Sequence, residues 1–94
     1  MKIKPTREQI IKGGHISTNC PYYLAIKEAC PNIYVEVKRA TTVVGRTKDD
    51  SKVISNPVEM REWIFSYDSR SIAYLISPAP EVDLPLEEFC EGLS

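Results

Sequence analysis

Tyr22, Ala25, Ile26, Ala29 and Cys30 recur at i, i+3, i+4, i+7 and i+8, the spacing that lays apolar side chains along one face of an α-helix. Pro21 suits the first helical position, where its missing N–H costs nothing. Met60, Trp63, Ile64 and Tyr67 repeat the spacing after Asn56-Pro57, which predicts a second helix over about 57–67 with Asn56 as its cap and Trp63 as its anchor. Between them Ile33, Val35 and Val37 alternate with Tyr34, Glu36 and Lys38, the period of a half-buried strand. The β-branched run from Thr41 to Val44 continues the sheet, 45–52 is a polar turn, and Lys52 to Ser55 returns from it.

Shorter elements flank these. Met1 to Lys4 alternates as a brief strand. Thr6 and Gln9 form the two halves of a capping box for a short helix carrying Ile10 and Ile11, which Gly13-Gly14 is expected to end in a left-handed conformation. Ile72 to Ile76 reads as a buried strand stopped by Pro78-Ala79-Pro80, and Leu86, Phe89 and Cys90 face inward from a final helical turn. The turns between the central strands are too short for crossover helices, so the expected architecture is α+β: one domain over 1–94, an antiparallel sheet of about three to five strands, and two main helices on one face.

Charge changes this picture at one place. The net charge of -1 argues against a protein that neutralises many phosphates. Residues 1–77 hold all 12 bases and 8 of the 13 acids, whereas 78–94 hold five acids and no base. The acidic C-terminal segment is therefore expected to fold back on basic residues, the alternative being that it is held out for a basic partner. Cys20, Cys30 and Cys90 are an odd set without a CxxC pair, and no apolar run of signal-peptide or membrane-spanning length appears, so they are read as the reduced thiols of a cytoplasmic protein.

Candidate chemistry is sparse. Cys20 precedes a helix N-terminus, which favours a thiolate, and His15 stands five residues earlier as a base. Burial of a free cysteine is the competing reading, and no group to orient the histidine is recognisable. His15, Cys20, Cys30 and Cys90 match no closed zinc spacing, so neither catalytic nor metal-binding residues are assigned and no cofactor is expected. Lys38, Arg39, Arg46, Lys48 and Lys52 form a basic series near Tyr34, a combination found where strands bind single-stranded nucleic acid. Adjacent Tyr22 and Tyr23 cannot share a helix face. With Tyr22 inward, Tyr23 and Lys27 lie outward, and Phe65 likewise falls off the second helix's buried stripe.

Two motifs carry a resemblance: Cys20-Pro21-Tyr22-Tyr23-Leu24-Ala25-Ile26, and the run from Pro57 to Asp68 containing Trp63-Ile64 and Tyr67-Asp68. In both, the chain resembles a family of small bacteriophage and mobile-element proteins with a Cys-Pro-x-x-x-Ala-Ile/Leu helix and a Pro-x-x-Ala-x-x-Phe-Ile-x-x-Phe-Asp helix. Met60 stands where that family carries a small residue. The resemblance covers about residues 1–76 and implies a non-structural phage accessory protein, a kind that often acts by binding a host enzyme or a component of host immunity; the expected function is non-catalytic binding and inhibition of a host protein, such as a component of bacterial defence, in an anti-CRISPR-like manner. The residues expected to make that contact are Tyr23, Lys27, Tyr34, Lys38, Arg39, Arg46, Lys48 and Phe65. A small nucleic-acid or nucleotide binder using the basic strand region is the alternative.

Overall fold

The computed structural model describes residues 1–14, 16–68 and 78–90. His15 and the strand expected over Ile72 to Ile76 lie outside them. The described elements run β1 (Lys2–Ile3), α1 (Arg7–Lys12), α2 (Pro21–Ala29), β2 (Tyr34–Val37), β3 (Thr41–Gly45), β4 (Ser51–Ser55), α3 (Val58–Asp68), β5 (Val82–Asp83) and α4 (Glu87–Cys90). They make an α+β fold. An antiparallel sheet has the order β2-β3-β4, and β1 pairs antiparallel with β5 in a separate two-stranded ribbon.

The register explains the alternation. Val35 opposes Val44 and Val37 opposes Thr42, and these four are buried, while Glu36, Val43 and Val53 share the outer face. Helix α2 lies against β2 and sits at the centre of the core, with Tyr22 and Ile26 fully buried. Its cap is Cys20, whose sulfur accepts from the Tyr23 N–H at 3.4 Å. Ala29, expected on the buried stripe, is exposed at the last helical position, whereas Cys30 beyond it is buried. Met60, Trp63, Ile64 and Tyr67 are all buried, and Met60 fills space that a smaller residue would leave empty.

Helix α3 packs on α2 through rings. The Tyr22 ring meets Trp63 edge-on at 5.7 Å, and Trp63 stacks on Tyr67 at 5.1 Å, geometries that aromatic quadrupoles favour. The polar tips of the two tyrosines reach opposite parts of the chain. Tyr22 donates to the Pro80 carbonyl at 2.6 Å, and the Tyr67 hydroxyl lies 3.1 and 2.9 Å from the Ile10 and Gly13 carbonyls.

The capping box on α1 forms with both of its bonds. Its termination differs from expectation, since Gly13 is extended (φ -68°, ψ 161°) rather than left-handed. Glycine is needed there for space: a Cβ would sit 2.8 Å from the Gln9 carbonyl oxygen and 2.9 Å from the Pro21 ring. The α1 end and the α2 start thus meet backbone to ring.

The described part of the acidic segment, 78–90, folds back. Pairing of β5 with β1 carries Val82, Leu84 and Leu86 into the core, and the ammonium of Met1 bonds Asp83, the Leu84 carbonyl and Glu87. Asp83 and Glu87 hold the amine's pKa above its usual value, and the amine in turn holds both carboxyls below theirs. Lys52, opposite Val44 on the core side of the sheet, pairs with Glu88 and lies 5.3 Å from the Phe89 ring. No described helix is long and apolar enough to cross a membrane.

One expectation is overturned. Cys30 and Cys90 form a disulfide with Cα atoms 5.5 Å apart, and Cys20 alone is a free thiol. The reading of three reduced thiols missed it because the cysteines are 60 residues apart and only the β1–β5 pairing brings α4 beneath the end of α2. Met1 Sδ lies 3.9 Å from Cys30 Sγ, a packing contact, since a disulfide sulfur has no proton to donate. Closing a loop of this length removes about 4 kcal/mol of denatured-state entropy. Replacing Cys30 and Cys90 together by Ala is therefore expected to lower the unfolding free energy by about 2–5 kcal/mol in urea titrations. A loss within about 0.5 kcal/mol, the range of an ordinary surface substitution, would contradict it.

Candidate functional site

Helix α3 has two faces. Met60, Trp63, Ile64 and Tyr67 take the inner one, which leaves Val58, Arg61, Glu62 and Phe65 at i, i+3, i+4 and i+7 on a second stripe. Val58 is 54% and Phe65 53% exposed, large values for apolar side chains on a helix that is otherwise well packed. Across from this stripe, the turn between β2 and β3 supplies Arg39, whose guanidinium lies over the Phe65 ring at 4.8 Å from its centroid. Together with Ser66 these side chains line an open groove of about 600 Å³.

Asn56 fixes the far wall. It was expected to cap the second helix, but its side chain is buried and turned toward the sheet. There its amide donates to the Lys38 and Arg39 carbonyls at 2.8 and 3.0 Å, while its oxygen accepts from the Thr42 hydroxyl at 2.6 Å. Its own N–H donates to the Ala40 carbonyl at 2.9 Å. The Pro57 carbonyl instead accepts the first helical bond, from the Arg61 N–H at 3.0 Å. A buried polar side chain with all its groups satisfied sets a position firmly, so the Arg39 turn is tied to the residue that leads into α3.

Neither Arg39 nor Arg61 has a carboxylate at ion-pair distance among the described residues. In a second open groove, between α1 and α2, Lys12 pairs with Glu8 and Gln9 with Glu28, and Arg7 is the remaining charged side chain of the lining. In the first groove the guanidiniums of Arg39 and Arg61 stand beside the apolar side chains of Val58 and Phe65.

The structure brings some expected residues together and separates others. Arg39 and Phe65 meet, with Lys38 exposed on the same turn. Arg46 and Lys48 lie in the β3–β4 loop, at the other end of a five-residue strand, about 13 Å away along β3 at 3.3 Å per residue. Lys52 is engaged by the acidic segment. Tyr34 pairs with Gly45 at the Arg46 end of the sheet and donates to Glu36 on the outer face. Tyr23 is half-buried against the core, and the Lys27 ammonium donates to the Pro31 and Ile33 carbonyls at 2.9 and 2.7 Å. Lys27 thus closes the loop after α2. Arg61 and Val58 were missed, although the second i, i+3, i+4, i+7 series on α3 was there to read.

Cys20 is not poised for nucleophilic attack. Burial pushes its thiol up to about 11, outweighing the bonds from the Tyr23 and Tyr22 N–H groups that favour the thiolate. A thiol reagent at pH 8 is expected to count no reactive sulfhydryl in the native protein, one after denaturation, and three after denaturation with reductant. A native count of one would show that Cys20 is accessible and ionised.

No family model, curated protein or solved structure matches the chain.

Proposed function

We propose that the chain is a non-catalytic accessory protein of bacteriophage or mobile-element type, which binds a host protein through the α3 face and inhibits it by occlusion, a component of bacterial defence being the target class. The two helix motifs supply the phage part of this reading. The observation that supports binding is the exposed Phe65 ring held under Arg39, beside an exposed Val58 and an Arg61 with no carboxylate partner among the described residues. Aromatic residues and arginine at the centre of an apolar patch are the usual carriers of interface energy.

The nucleic-acid alternative has less support. Its basic residues divide between the two ends of β3, with Lys52 neutralised by Glu88, so among the described residues no continuous groove tracks a phosphate backbone.

Immobilised wild-type protein is expected to retain a specific protein from bacterial lysate, and Phe65→Glu to lose it without a change in melting temperature. The activity of the retained protein should fall when the wild type is added. Equal retention by the Phe65→Glu variant would remove the α3 face from the account.

A further inference from the structure

We infer that β4 is the interface of a two-fold homodimer: its open edge pairs antiparallel with β4 of a second copy, in the register that sets Val53 against Val53. The pairing uses no residue of the α3 face.

The hydrogen-bond alternation fixes which main-chain groups point outward. At the two ends of the β3–β4 pairing, the Arg46 N–H donates to the Asp50 carbonyl at 3.1 Å and the Asn56 N–H to the Ala40 carbonyl at 2.9 Å. In an antiparallel pair, bonded residues alternate with unbonded ones. Lys52 and Ile54 therefore bond to β3, while the N–H and C=O groups of Ser51, Val53 and Ser55 turn to the other side. β4 ends the order β2-β3-β4, and no described strand pairs with that side. Such an edge is a template for a further strand.

Proteins commonly guard an edge with a charge that points inward. Lys52 is the one charged residue of β4 and holds that position, but its ammonium is paired with Glu88 and lies 5.3 Å from the Phe89 ring centroid. The guard is thus neutralised within the chain. On the outer face Val53 is 63% exposed, with Val43 opposite it on β3.

Self-complementarity decides the occupant. With Val53 on the two-fold axis, Ser51 faces Ser55 and Lys52 faces Ile54, so no like charges oppose each other. Val43 and Val53 of both copies then make one apolar row across the joined outer face. Moving the register two residues one way sets Lys52 against Lys52, an unfavourable pair. Moving it two the other way sets Ser51 against Pro57, which has no N–H to donate. A shift by one turns the outer face of one copy onto the core side of the other. The strand therefore selects one closed pairing with itself, made by about six main-chain hydrogen bonds. A five-residue strand buries less than about 1,200 Å², the range of weak, reversible complexes, so the expected Kd is about 10–100 μM.

The test is sedimentation of the full chain from well below to well above that Kd, with amide exchange followed by NMR at both ends of the range. The mass is expected to double. The Val53 and Ser55 amides should exchange several-fold more slowly at the high end, while those of Lys52 and Ile54 are protected throughout. Val53→Lys sets two ammonium groups against each other on the axis and should weaken dimerisation about tenfold, with the fold shown intact by unchanged protection at Lys52 and Ile54. If that variant does not fold, the wild-type exchange pattern decides.

A monomer at every concentration overturns the inference. Protected Val53 and Ser55 amides in that monomer would give the edge to a segment of the same chain, and unprotected ones would leave it to a strand of another protein. A dimer whose Val53 and Ser55 amides stay fast, or one undiminished by Val53→Lys, joins through another surface and overturns it as well. So does growth beyond two copies, because the two-fold pairing closes.

Discussion

The contact on which the rest of the fold depends is the buried row of rings Tyr22, Trp63 and Tyr67. A helix in a domain of this size is held by what its apolar face meets, since short helices are marginal alone. Here α2 and α3 meet through edge and stacked ring contacts, and the hydroxyls at the two ends of the row continue outward. Tyr22 holds the C-terminal segment at Pro80, and Tyr67 holds the end of α1 at Ile10 and Gly13. One apolar cluster with two polar tips therefore joins segments far apart in the chain. Burial raises the Tyr22 hydroxyl's pKa, with the Glu59 charge adding to it, which keeps that hydroxyl a donor.

The candidate site is a consequence of this packing. Once Trp63 and Ile64 turn inward, Phe65 follows one position later and turns outward, carrying Arg61 and Val58 with it. Asn56 sets the other side, because it ties the Arg39 turn to the chain just before α3. The groove is thus formed by two elements with a shared anchor, and its walls keep their spacing without a partner present. The acidic segment lies elsewhere, occupied with the Met1 ammonium, Lys52 and the Cys30–Cys90 bridge.

The main elements were legible because their signals are local. Periodicities of 3.6 and 2 placed both main helices and the three-stranded sheet, and the Thr6/Gln9 box placed α1. What sequence alone hid is non-local. The pairing of β1 with β5, the Cys30–Cys90 bridge, and the use of Asn56 as a staple for a turn 16 to 18 residues earlier depend on where distant segments arrive. Gly13 shows the same limit, since its requirement is the nearness of Pro21 and not its own dihedral angles. At the site, Arg39 and Phe65 were readable as an exposed cation and an aromatic off the buried stripe. That they meet was not, because one lies on a turn and the other two helical turns into α3.

Trp63 reports on the central cluster directly, being the single tryptophan of the chain and 6% exposed, with its Nε1 unpaired among the described residues. Acrylamide quenching of its fluorescence, read together with far-ultraviolet circular dichroism, is the decisive measurement. The expected result is blue-shifted emission, nearly insensitive to quencher while the helices persist, changing to solvent-like emission only as they unfold. Solvent-like, readily quenched emission from the folded, helical protein would show that the ring row does not form, and the placement of α3 and its outward face would fall with it.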